Sequence, residues 1–188
     1  FPFMHIATDI QKDVEQGIMA NFLVRPVQYV VPVISRFVAW MVCYLVILVP
    51  AVLFTVIYRE ISLQNFLSFF IYLVLGIGIE FLLWYNLGLL ALKLERLRGL
   101  LITFRAFKSL VSGALIPLSM FPPMFRTVTE FLPMKFYIYT PVNALLNGGN
   151  MEELAGNMVL ALTWILVLTA AAAWQWNSGL KRLQANIS

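Results

Sequence analysis

Residues 66–92 read FLSFFIYLVLGIGIEFLLWYNLGLLAL, an apolar run interrupted by a single charge, Glu80. A bilayer crossing needs about 20 consecutive apolar residues in an α-helix, whereas a membrane β-strand needs about ten with strict alternation. This run is too long and too uniformly apolar for the strand. It is therefore read as a membrane helix, and the rest of the chain repeats the pattern.

Windows 37–57, 104–121 and 151–176, the last apolar from Met158 onward, meet the same length requirement. Hydrophobic residues make up 61% of the chain and charged ones 12%, with a mean hydropathy of +0.86; a soluble domain carries about 25% charged residues. The expected fold class is an all-α integral membrane protein with four transmembrane helices and the lipid bilayer as its solvent. The lone cysteine, Cys43, lies inside the first window, excludes a disulfide framework and is assigned to packing.

Catalytic chemistry finds no support. The single histidine, His5, stands at the start of the chain, and no HExxH, GxSxG or paired-acid arrangement occurs. LLNGGN lacks the lysine of a phosphate-binding loop, so no catalytic, cofactor or metal residue is assigned, and any ATP must be bound by another chain. The net charge of +4 is spread over short flanks, not a basic stripe, which excludes a nucleic-acid partner.

Those flanks orient the chain. Lys12, Arg25, Arg36, Lys93, Arg96, Arg98, Arg105, Lys108, Lys181 and Arg182 fall on one side, and Arg59, Arg126 and Lys135 on the other. The positive-inside bias places the first group in the cytoplasm, together with the N-terminal segment and the tail 177–188. Residue 1 is Phe and no signal peptide is recognisable, so sequence is expected to precede the chain.

Ahead of the first window, Thr8 with Gln11 reads as a capping box and Asp9 and Asp13 as first-turn acids. Ile10, Val14, Ile18 and Phe22 form an apolar stripe, and Arg25-Pro26 ends an amphipathic helix over 8–25. An ordinary interfacial helix is the alternative.

Between the third and fourth windows, segment 122–149 is too apolar for a solvated loop. Pro122 and Pro123 stop the third helix, and Met124 to Leu132 makes a helix of about 14 Å, half a bilayer, in which Arg126 and Glu130 pair at i, i+4. Phe136, Tyr137 and Tyr139 are read as an aromatic belt, Thr140-Pro141 as the start of a second short helix, Gly148-Gly149 as its end, and Asn150 with Glu153 as the cap of the last helix. The pair is expected to re-enter the membrane, where protein or water must satisfy the broken backbone, and so to line a pathway; an amphipathic surface loop is the alternative. Glu80 has two readings: ion coupling or substrate contact, or a hydrogen-bonded structural residue with no basic partner evident. Gly76 and Gly78 permit close approach beside it, and Asn86 offers an interhelical hydrogen bond.

Taken in order, DIQKDVEQGIMANFLVRPV, SGALIPLSMFPPMF, FLPMKFYIYTPVNALLNG and WQWNSGLKRL make the chain resemble the permeases of ABC-2 type ATP-binding cassette exporters, in the branch of uncharacterised transport-system permeases. The most specific signals are Gly17, Leu23, Arg25 and Pro26, the run Ser112 to Leu118, and YTPVNALLNG. The charged stretch Ala91 to Gly99 departs from the aromatic-rich segment expected there. The resemblance implies six spans, of which these are the third to sixth. It implies that the first helix is a cytoplasmic coupling helix, contacting an ATPase through Asp9, Asp13, Glu15, Gly17, Phe22 and Arg25. It also implies that the re-entrant pair is an outer gate carrying Pro117, Pro122, Pro123, Arg126, Glu130 and Pro133. Expected partners are two ABC ATPase subunits, which hold the ATP and magnesium, and a second, identical or paralogous permease. The implied function is export of a hydrophobic or amphipathic substrate across a bacterial plasma membrane; the alternative is an ion-coupled secondary transporter using Glu80.

Overall fold

The computed structural model describes residues 3–19, 29–94, 97–115, 120–148 and 151–185. Every regular element among them is helical: α1 (Met4–Glu15), α2 (Val30–Arg59), α3 (Leu63–Leu89, extended by a 3-10 turn Leu90–Leu92), α4 (Arg98–Val111), α5 (Pro123–Phe131), a 3-10 turn Pro133–Tyr137, α6 (Tyr139–Asn147) and α7 (Met151–Ala185). Three of these are long and apolar enough to span a membrane: Val30–Arg59, Leu63–Leu92 and Glu152–Gly179. The chain is thus a multi-pass membrane protein.

The window 104–121 does not form one long helix. Its helical part is α4, 14 residues or about 21 Å, short of a hydrocarbon core of about 30 Å. The cause is local: the helix gives way to a turn in which Gly113 has φ +78°, a conformation costly for any residue with a Cβ. At the other end of the chain α7 continues through the expected tail as far as Ala185; that stretch holds no proline, and its one glycine, Gly179, is accommodated by packing against Leu92.

Two compact units divide the chain, one made of 1–49, 81–102 and 168–188, the other of 50–80 and 103–167. In the first, α1 buries Ile6, Ala7 and Ile10, and Phe3 just before it is buried too, a stripe at helical spacing. It packs on α3 at Gly88, where an added Cβ would lie 2.6 Å from Ile10 Cδ1 and 3.0 Å from Ala7 Cα. The stripe differs from the expected one: only Ile10 is shared, Val14 is half-buried, and Phe22 lies outside the described residues. The capping box is also absent, since Thr8 sits inside the helix and its hydroxyl donates to the Met4 and His5 carbonyls. Gln11 donates to Glu15, not back to the helix start, and the first turn carries no acid.

In the same unit Asn86 makes the expected interhelical bond. Its Nδ2 donates to the Leu168 carbonyl at 3.0 Å while its Oδ1 accepts from Gln175 Nε2 at 2.9 Å. Gly179 of α7 lies against Leu92, and the Lys93 ammonium sits 4.4 Å from the Trp174 ring centre.

The second unit holds the turn between α2 and α3, where Glu60 adopts φ +49° and Ser62 Oγ accepts from the Asn65 amide at 3.3 Å to cap α3. Gly148 ends α6 with φ +66°, and the Asn65 side chain occupies the space a Cβ would need. Cys43 is exposed on α2, which has a single buried residue, Val33, so the packing role assigned to the cysteine is withdrawn.

Candidate functional site

The hairpin after α4 is the first candidate. Pro122 occupies the N-cap of α5 and Pro123 its first turn, where a missing N–H costs nothing. Arg126 Nε donates to Glu130 Oε1 at 3.0 Å, both side chains about half exposed. Pro133 starts the 3-10 turn and is buried with Met134, Lys135 and Phe136. The remaining outer residue, Pro117, lies outside the described residues.

Two expectations for this region are corrected. Phe136 is fully buried, so it packs inside the protein and does not join a headgroup belt. Thr140-Pro141 falls in the second and third positions of α6, which begins at Tyr139 with no side-chain cap, because Pro is tolerated anywhere in the first turn. The Asn150 cap lies outside the described residues, as does Gly149.

Polar side chains tie the hairpin down. Trp164 Nε1 donates to the Phe131 carbonyl at 2.9 Å, Lys135 Nζ to Asn157 Oδ1 at 2.8 Å, and Tyr72 OH to the Leu154 carbonyl at 3.2 Å. Gly76 carries the closest approach, since an added Cβ would meet the Phe136 carbonyl oxygen at 2.2 Å. Gly78, named with it from the sequence, has nothing within 4 Å.

Glu80 has the basic partner that the sequence did not reveal. Its carboxylate pairs with the Lys108 ammonium, and both residues are 1% exposed. Lys108 Nζ also sits 4.0 Å from the centre of the Tyr137 ring, a cation–π contact strengthened by loss of water. Lys108 is accordingly not a loop charge, and it leaves the group used for orientation. Just past the end of α4, Ser112 is fully buried, and its Oγ has no hydrogen-bond partner among the described residues.

The second candidate is α1. Asp13 is buried and accepts from Tyr29 OH at 2.6 Å and from Arg36 Nη2 at 2.5 Å, which ties α1 to the start of α2. Burial, reinforced by the bond to Asp13, holds the Tyr29 phenol well above its ordinary range; its ring stacks on Trp176 at 5.5 Å. Asp13 therefore faces inward and does not offer itself to a partner. Asp9 lines a narrow recess with Arg36 and Trp40, Glu15 is exposed, and Gly17 follows the helix with φ +69°; Phe22 and Arg25 lie outside the described residues. A larger recess of about 300 Å³ opens between Gln11, Val14 and Glu15 of α1 and the stretch Ala91 to Leu94.

Replacing Asp13 with Asn keeps the shape and removes the charge on which two donors converge. A cost of about 1.5–3 kcal/mol is expected, read as a lower melting temperature in detergent, because hydrogen bonds to charged groups carry about that much. Tyr29→Phe, which removes one neutral donor, should cost less.

Residues that the sequence reading missed are Lys108, Tyr137 as a cation partner, Asn157, Tyr29 and Arg36 as an ion-pair partner. Charge counting placed Lys108 and Arg36 in flanks, and only the burial of their partners could have signalled otherwise.

Three apolar helices long enough to span a bilayer, with short helices packed against them, define a helical multi-pass membrane protein. A match to the family described as "ABC-2 family transporter protein" covers residues 2–186. The chain belongs to that family and is a membrane component of a transporter. No curated protein and no solved structure matches it significantly.

Proposed function

We propose that the chain is the permease subunit of an ATP-driven exporter in the bacterial plasma membrane, working as a pair of permeases with two ATPase subunits that hold ATP and magnesium. Its cargo is a hydrophobic or amphipathic molecule such as a lipid, glycolipid, drug or lipid-linked glycan, moved outward. The observation that carries this reading is the mounting of α1. One face is fastened by Asp13 and by the contact at Gly88, while Lys12, Glu15 and Gln16 are exposed on the other. A helix so held transmits a push applied to its free face into α2 and α3, as a coupling helix must. The recess beside Glu15 and Lys93 gives an ATPase subunit a concave surface to engage. The hairpin 122–148 is the outer gate. The ion-coupled alternative needs a carboxylate available to a transported ion, and the pairing of Glu80 with Lys108 weighs against it.

Gly88→Leu tests the reading. The larger side chain displaces Ile10 and Ala7 and loosens α1 without touching its exposed face. In the purified permease–ATPase complex, substrate-stimulated ATP hydrolysis should fall by roughly 2- to 30-fold, the span of a coupling change of about 0.5–2 kcal/mol, while complex formation persists. Unchanged stimulation would remove α1 from the coupling path.

A further inference from the structure

The hairpin is unevenly anchored. In α5 only Thr129 is buried, Met124, Phe125, Val128 and Phe131 are 58–82% exposed, and the bond from Trp164 Nε1 reaches only its last residue, Phe131, next to Leu132. Beyond Leu132, which is extended at φ −78°, ψ 145°, the picture reverses. Pro133, Met134, Lys135 and Phe136 are all buried, and α6 buries Thr140, Pro141, Ala144 and Leu145. The anchored part is fixed to α3 at two successive turns: Gly76 against the Phe136 carbonyl, and Glu80 through Lys108 to the Tyr137 ring.

A buried ion pair adds little net stability, because desolvating both charges offsets their attraction; apolar residues of similar volume often serve as well or better. Its best-attested use is to fix one arrangement among alternatives. Here the pair joins α3 to α4, and the Tyr137 ring, 4.0 Å from the ammonium, brings the 3-10 turn to the same point. Segments with few buried contacts are those that open at least cost, and an extended residue between a loose and a clamped element is where a hinge absorbs rotation.

We propose that Glu80, Lys108 and Tyr137 clamp residues 133–147 to α3 as a fixed pivot, and that α5 alone is the moving flap, hinged at Leu132. Glu80, Lys108 and Tyr137 are thus positioning residues. The inference rests on the transporter reading for its purpose, but its test needs neither substrate nor ATPase, so the two fail separately.

The test uses spin-label pairs in the full chain in lipid nanodiscs, from Leu67 on α3 to Phe125 on α5 and from Leu67 to Val142 on α6, all exposed positions. The 67–142 distance is expected as a single narrow peak and the 67–125 distance as a broad or multiple distribution. Glu80→Gln should abolish the single 67–142 peak, and the exchange Glu80→Lys with Lys108→Glu should restore it. Should Glu80→Gln fail to give monodisperse protein, Tyr137→Leu, which keeps the ion pair, should also abolish the peak. Equal widths for the two pairs overturn the proposal. So does a 67–142 peak indifferent to the clamp variants, or one that the exchange fails to restore.

Discussion

Lys108→Met is expected to destabilise the protein by about 3–5 kcal/mol, the usual cost of breaking a buried ion pair by removing one partner. The variant leaves the Glu80 carboxylate at 1% exposure without the cation that offsets its desolvation, and Tyr137 without the ammonium its ring faces. Thermal unfolding in detergent reads the loss. Adding Glu80→Gln should recover most of it, since the double variant buries a neutral amide beside a thioether and no bare charge. Failure of the double variant to recover would mean that the pair does more than neutralise itself. The same logic sets Lys108→Arg apart: a planar guanidinium larger than the ammonium must fit a fully enclosed space, so it should be tolerated less well than its charge suggests.

Gly76→Ala is the second large effect. Real Cβ atoms do not approach a carbonyl oxygen at 2.2 Å, and the obstacle is backbone, which cannot swing aside as a side chain would. The 3-10 turn must therefore lift from α3, with a cost of about 1–3 kcal/mol or more for overpacking. Gly78→Ala is the matched control. With nothing within 4 Å of its added methyl, it should be neutral or stabilising, since alanine is favoured over glycine in a helix interior by about 1 kcal/mol. Comparing melting temperatures separates close approach from helix propensity, because the two glycines share one helix.

Three of the four windows were legible because hydropathy over 20 residues is a bulk property; the fourth, 104–121, misled because the local turn at Gly113 follows a helix that ends at Val111. The short helix α5 was legible for a different reason: Pro122 and Pro123 stand at its start, although they do not end the preceding helix as expected, since that helix already stops at Val111. Gly148 and Asn86 likewise announced a helix end and a polar bridge. What escaped was pairing at a distance. Lys108 is separated from Glu80 by most of a helix and a connection, and topological charge rules treat every lysine near a span as solvated. Phe136 was assigned to the membrane interface on residue type, which does not distinguish a lipid-facing ring from a packed one. Thr8 looked like a cap because the pattern S/T-x-x-Q also occurs inside helices, where the hydroxyl bonds backward. Asp13 read as a first-turn acid for the same reason; with the helix starting at Met4, its place near the far end lets it reach Tyr29 and Arg36.

The central claim is that an ATPase subunit pushes on the free face of α1. A photo-crosslinking amino acid at Lys12, exposed on that face, would be activated in intact cells and the adduct identified by mass spectrometry, with Met124 on α5 as the control. Attachment at residue 12 to a chain carrying an ATP-binding cassette, absent at 124, is the predicted result. Crosslinks from residue 12 to lipid or to the permease alone would contradict it.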